Sequence, residues 1–332
     1  METTIMKKHI RCISITATLL SAAALFAQAE EPARIQPDIV YGHKDGMALT
    51  FDVIRPEKPN GAAILFLQSG GWYSAWSEPK KLLPACQPML AKGFTVFVVR
   101  HGSAPKYAVP DAIGDVRRCV RFIRLSAAAL GVDPARLGVF GGSAGGHLSL
   151  MLATTADDGD AKSGDEVLRQ SDGVAAVVAL YPPTDIRTWV TDPPEAIKRI
   201  PRLKPPLTFD PALTPACSPL LHVSPGDAPA LLIHGDKDEL VPIEHSRNYD
   251  AAARDQKVPC KLLVIEGAGH AFNEKHNETV VPAMVGWFEK HLLGESPAPL
   301  PIQHRKNENK SPSRHRSAAR IHGAFLRSYT SR

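Results

Sequence analysis

Gly141-Gly142-Ser143-Ala144-Gly145 sets a hydroxyl among glycines in the pattern Gly-x-Ser-x-Gly. A serine hydroxyl is a weak nucleophile near neutral pH. A protein that uses one must present it on a strained turn, supply a base, orient that base and stabilise the oxyanion that forms. Flanking glycines suit a strand-to-helix turn too sharp for side chains. The context fits, because residues 137–140 read as a short apolar strand and 144–154 as a helix. The competing reading is a glycine-rich loop with an incidental serine; the flanking elements favour the nucleophile.

A base for such a serine comes late in the chain, in a loop after a strand, with the orienting acid in between. Of 13 histidines, His270 sits where this requires, in Glu266-Gly267-Ala268-Gly269-His270 after the apolar run 262–265. His234 is its rival, although a histidine ending an apolar strand is more often structural. His147 lies beside the nucleophile on the same helix. Residues 231–242 offer Asp236, Asp238 and Glu239 as acids. Asp238 is preferred, to hold His270 in the useful tautomer and stabilise its imidazolium. Asp236 is expected to fix the turn by bonding its own backbone. Backbone N–H groups for the oxyanion are assigned to Ala144, Gly70 and Gly71, the last two in Gln68-Ser69-Gly70-Gly71-Trp72.

These residues need a frame. From Gly61 to Leu293 short apolar runs alternate with helix-like stretches, the signature of an α/β fold with a mostly parallel central sheet flanked by helices. Buried strands are expected at 62–67, 95–100, 137–140, 174–180, 230–233 and 262–265, and an antiparallel edge strand carries Met47, Leu49, Phe51 and Val53. Helices are expected at 111–130, 144–154 and 279–293. On the first, Arg117, Arg118, Arg121 and Arg124 read as solvated. The proline-rich stretch 182–229 has no sustained period and reads as a loop-rich cap inserted above the sheet.

The ends differ from the body. Lys7, Lys8 and Arg11, the apolar run from Ile13 to Phe26 and Ala27-Gln28-Ala29 read as a cleaved signal peptide over 1–29, with an uncleaved anchor as the alternative. Export and a periplasmic or extracellular location follow from the first reading, with no stable membrane insertion after cleavage. The net charge of +5 is terminal in origin. Residues 295–332 hold eight Lys or Arg against two Glu, and 1–29 three against one, which leaves 30–294 at −3. No nucleic-acid partner is inferred for the core. The basic tail reads as disordered, with adhesion to an acidic envelope polymer as the alternative. Cys86, Cys119, Cys217 and Cys260 lack the short spacings of a metal or redox site and read as isolated thiols; export would permit any of three full pairings. No metal or cofactor is expected.

Several pieces together resemble the esterase/lipase branch of the α/β-hydrolase fold, especially the bacterial feruloyl-esterase and acetyl-xylan-esterase-like group. They are Asp52-Val53-Ile54-Arg55-Pro56, Ser69-Gly70-Gly71-Trp72, Asp115-Val116-Arg117-Arg118, Val132-Asp133-Pro134, Tyr181-Pro182-Pro183-Thr184-Asp185 and the Asp238 and His270 loops, across roughly residues 47–293. The resemblance implies a serine esterase acting through Ser143, His270 and Asp238 on acetylated or feruloylated polysaccharide or on small esters. It departs at Gln68-Ser69, where relatives commonly read His-Gly, which puts loop support and the acyl-side pocket in question. Two other readings stay open. One is a prolyl-oligopeptidase-like peptidase, although nothing before Gly61 is long enough for a propeller. The other is a non-catalytic binding protein, although that would not need all three residues.

Overall fold

The computed structural model describes residues 34–294. The leader 1–29 and the tail 295–332 lie outside the described residues. No helix among those described is long and apolar enough to cross a membrane.

Eight strands form one sheet: β1 Arg34–Lys44, β2 Met47–Arg55, β3 Ala63–Leu67, β4 Thr95–Val99, β5 Leu137–Gly142, β6 Ala176–Leu180, β7 Ala230–Gly235 and β8 Cys260–Ile265. Their order is β1-β2-β4-β3-β5-β6-β7-β8. The β1–β2 and β2–β4 pairs are antiparallel and all the others parallel. The six expected parallel strands are all present. The antiparallel strand β2 is internal, however, because β1 pairs along its outer side. β1 escapes notice in the sequence because it is largely exposed and interrupted by Pro37.

The helices are α1 Pro79–Leu90, α2 Val109–Leu125, α3 Ala127–Leu130, α4 Ala144–Thr154, α5 Glu195–Lys198, α6 Glu244–Asp255 and α7 Glu274–Phe288, the last continued by a π-helical turn Glu289–Leu293. The central strands are buried on both faces, which is why they read as continuous apolar runs. Their two-residue period sorts the core. Leu65, Phe97, Val139 and Leu232 point to the side packed by α2, α4 and α6. Ile64, Val96, Phe140 and Leu231 point to the side packed by α1 and α7. Helix α1 is hidden in the sequence by Pro84 and Pro88 inside it, yet it buries Cys86, Met89 and Leu90.

The α2 arginines are not solvated. Arg121 is buried and, with Arg117, binds Asp157 and the fully buried Asp172. Arg118 bonds Asp165 at 2.6 Å, and Arg124 donates to the Ser171 and Gly173 carbonyls at 3.0 and 2.6 Å. Together they fasten the irregular stretch between α4 and β6 to α2. Residues 182–229, between β6 and β7, run through α5 and a series of proline-led 3-10 turns, and contribute Pro183, Trp189, Ile197, Ile200 and Leu203 to a cavity over Ser143. All four cysteines of the described residues are free thiols, Cys86, Cys119 and Cys217 buried and Cys260 half-buried.

Candidate active site

Ser143 joins β5 to α4 with φ 53° and ψ −118°, a conformation that L residues with side chains rarely adopt and that a rigid surround must hold. The surround is visible. Its N–H donates to the Leu180 carbonyl at 2.8 Å, and Gly145 N–H donates to the Ser69 carbonyl at 3.2 Å. A Cβ on Gly145 would lie 2.6 Å from the Leu67 carbonyl oxygen, so only glycine allows α4 to approach β3 this closely.

His270 Nε2 lies 2.9 Å from Ser143 Oγ, and its Nδ1 lies 2.7 Å from Asp238 Oδ2. With Nδ1–H donating to the carboxylate, Nε2 is left to accept from the serine hydroxyl. Asp238 lies in the loop just after β7 with its side chain fully buried. Burial alone would raise the Asp238 carboxyl. Hydrogen bonds from His234, His270 and Val241 N–H outweigh it and hold the group well below the usual carboxylate range. The structure therefore brings Ser143, His270 and Asp238 into one hydrogen-bonded chain, while Glu239 is exposed.

His234 does not reach the serine. Its Nε2–H is shared between Asp238 Oδ2 at 3.1 Å and the Val241 carbonyl at 2.8 Å, and its Nδ1 accepts from Ser246 Oγ at 2.7 Å. Asp236 differs from expectation. Instead of bonding its own turn, Oδ1 accepts from Gly267 N–H at 2.6 Å and ties the acid loop to the histidine loop.

The oxyanion assignment needs one correction. Gly70 N–H donates to the Tyr73 carbonyl at 3.0 Å in a small antiparallel bridge, which removes it from the donor set. The N–H groups of Gly71 and Ala144 have no hydrogen-bond acceptor among the described residues. Gly71 and Trp72 both have positive φ, 59° and 58°, and so turn the loop sharply beside Ser143.

Support for this loop comes from residues that the sequence did not mark. Ser69 Oγ lies 2.8 Å from His101 Nε2, whose Nδ1 lies 2.9 Å from the Gly102 carbonyl. Burial pushes the His101 pKa down, so the ring is neutral, donates through Nδ1 and accepts the Ser69 hydroxyl. Gln68 Oε1 is buried without a hydrogen-bond partner among the described residues. Trp72 Nε1 donates to His147 Nδ1 at 3.3 Å, and His147 Nε2 donates to the Cys217 carbonyl at 2.7 Å. His147, read only as a neighbour of the nucleophile, thus links the loop, α4 and the 182–229 segment. Its burial lowers its pKa to about 4.

The cavity over Ser143 has a volume of about 900 Å³ and is mostly apolar. Phe66, Met89, Phe140, Val280 and Met284 line the part next to α1 and α7; Trp72, Trp189, Ile200 and Leu203 line the part next to the 182–229 segment. A partly open, mostly apolar cleft that holds a hydroxyl, an imidazole and two N–H groups without acceptors among the described residues has the parts for acyl transfer.

The sheet order, the elbow and the Ser-Asp-His order along the chain define an α/β-hydrolase fold. The family model BD-FAE matches residues 51–252, and the chain belongs to that family. It is 30% identical over 249 residues to the esterase LipC of Mycobacterium tuberculosis, covering 71% of this chain and 59% of that one. It is 28% identical over 269 residues to the ethyl acetate hydrolase of Pseudomonas putida, covering 76% and 80%. The chain spans a little over half the length of the mycobacterial relatives. Among solved structures it is similar to the thermophilic esterase Est2 of Thermogutta terrifontis, with 25% identity, a TM-score of 0.63 and coverage of 82% of this chain and 96% of that one.

Proposed function

We propose that this protein is an exported serine carboxylic-ester hydrolase. The observation that carries the reading is the continuous chain from Ser143 Oγ through His270 to Asp238, at 2.9 and 2.7 Å. The two N–H groups of Gly71 and Ala144 beside it have no acceptor among the described residues.

In the first half-reaction Ser143 Oγ bonds to the ester carbonyl carbon while His270 Nε2 takes its proton. The carbonyl oxygen becomes an oxyanion held by Gly71 and Ala144 N–H. Asp238 stabilises the imidazolium without taking its proton. Collapse breaks the carbon–oxygen bond to the alcohol, which leaves with the proton from His270, and an acyl-Ser143 remains. Water then gives its proton to His270 and attacks the acyl carbon. Collapse returns the proton to Ser143 and releases the acid. The histidine accepts and returns one proton in each half-reaction, so no metal or cofactor is needed.

The ethyl acetate hydrolase relative supports short acyl esters as substrates. The leader over residues 1–29 supports export, which would bring the enzyme to small scavenged esters and to acetyl or feruloyl groups on extracellular polysaccharide. The test compares p-nitrophenyl acetate with a proline dipeptide anilide. The reading expects the ester to be turned over faster, with loss of that activity in Ser143→Ala. Faster cleavage of the anilide would contradict it.

A further inference from the structure

A second apolar cavity, of about 630 Å³, lies within residues 189–209, a size typical of small-molecule pockets. It shares Trp189, Ile197, Ile200 and Leu203 with the cavity over Ser143; beyond them its lining is mostly apolar, with Val190, Leu207 and Phe209, and also includes Lys198 and Lys204. The two cavities therefore meet at a wall of four side chains. The further one takes no part in the acyl transfer at Ser143.

Leu203 is the part of this wall closest to the chemistry. A Cβ on Gly71 would lie 2.4 Å from Leu203 Cδ2, so the leucine packs directly over a glycine whose N–H is assigned to the oxyanion. It sits at the end of the 3-10 turn Pro201–Leu203, and the preceding Arg202 guanidinium lies 4.8 Å from the centre of the Tyr73 ring in the oxyanion loop. The turn is thus held against the loop at two adjacent points. A leucine side chain hops between rotamers at little cost compared with a backbone movement, so this wall can open without the loop shifting.

We propose that the 189–209 cavity is a subsite for an extended apolar chain or ring of the ester, and that Leu203 is the specificity-determining residue that admits it. An ester bonded through its carbonyl to Gly71 and Ala144 N–H lies beside Leu203. A short group stays in the cavity over Ser143, and a longer one displaces the leucine and gains burial against Val190, Leu207 and Phe209. Each added methylene so buried favours binding by about fourfold. The inference rests on the esterase reading for its substrate class.

The test uses Leu203→Ala, which opens the wall at this residue, and Val190→Trp, which fills the further cavity from a half-buried position outside the lining of the cavity over Ser143. Two series separate the sources of the chain: p-nitrophenyl acetate against octanoate for the acyl side, and ethyl acetate against octyl acetate for the alcohol side. The long-to-short ratio of kcat/KM is expected to rise at least tenfold in Leu203→Ala and to return to the wild-type value in the double variant, on one series. The series that responds identifies the side. An unchanged ratio on both overturns the proposal. Calorimetry of octan-1-ol binding to Ser143→Ala protein gives a readout independent of turnover. Adding Val190→Trp is expected to weaken it at least fivefold, and equal affinity overturns the proposal. Absence of turnover of p-nitrophenyl acetate by the wild type contradicts the esterase reading, while octan-1-ol binding still decides the subsite.

Discussion

His234 Nε2 donates to Asp238 Oδ2 at 3.1 Å, on the same oxygen that receives His270. The ring is fully buried between Ser246 Oγ and the Val241 carbonyl, so it cannot swing away. Its effect is to aim the carboxylate. Leu240 and Val241 N–H hold Oδ1 at 3.0 and 2.9 Å, so removing the ring should tilt Oδ2 and misplace His270; displacement of a catalytic group by about 1 Å costs on the order of 10²-fold. His234→Ala is expected to lower kcat by about that factor with little change in KM. His234→Gln, which can still donate an amide N–H, should recover part of the loss. Steady-state kinetics of the two variants check this; equal kcat in wild type and His234→Ala would contradict it.

The Ser69 hydroxyl in the oxyanion loop is held by the neutral His101. Ser69→Ala should loosen the loop that carries Gly71 without deleting a donor. Outright loss of an oxyanion donor costs about 10²–10³-fold in kcat, so a smaller drop of about tenfold is expected, with Ser69→Thr closer to wild type. A drop confined to KM would assign Ser69 to substrate contact instead.

His147 provides a pH-dependent stability. Its folded pKa is about 4, against an ordinary value near 6.5, because its burial disfavours the charged ring. Between those values the unfolded chain binds the proton and the folded chain does not, so stability rises with pH. The contribution is full above about pH 6.5 and is lost as the pH falls towards 4, a change of roughly 3 kcal/mol. Urea midpoints at pH 7 and pH 5 should differ in the wild type and differ less in His147→Gln.

Asp172 is fully buried and receives both Arg117 and Arg121. Asp172→Ala leaves two guanidinium groups short of a partner, one of them buried, and should destabilise the protein by about 3–5 kcal/mol. Chemical denaturation measures this. The kcat of the folded fraction should stay near wild type, because the cluster does not touch the cavity over Ser143.

The elbow could be read from sequence because its glycines are set by local sterics: Gly145 faces the Leu67 carbonyl at a distance that excludes a Cβ. Asp238 and His270 could be read because chain order and strand ends restrict where they lie. Gly70 could not, since its N–H is spent on Tyr73, a pairing invisible in a glycine-rich string. The α2 arginines misled for a related reason. A helical period shows which face they occupy, but not that the loop carrying Asp157 and Asp172 returns over that face. Helix α1 was hidden by its prolines and β1 by its exposure, and β1 turns the expected edge strand β2 into an inner one. His101 and Leu203 carry no local signal at all. Their placement depends on contacts with Ser69 and Gly71, more than 30 and 130 residues away in the chain.

The central claim is that Ser143 is an activated nucleophile, and a fluorophosphonate probe reads this directly. The wild-type protein, labelled at pH 7.5 and mapped by peptide mass spectrometry, should carry the phosphonyl group on Ser143 alone. Labelling should vanish in Ser143→Ala and fall sharply in His270→Ala. A well-folded wild type that takes up no label, or takes it up on another residue, would contradict the account.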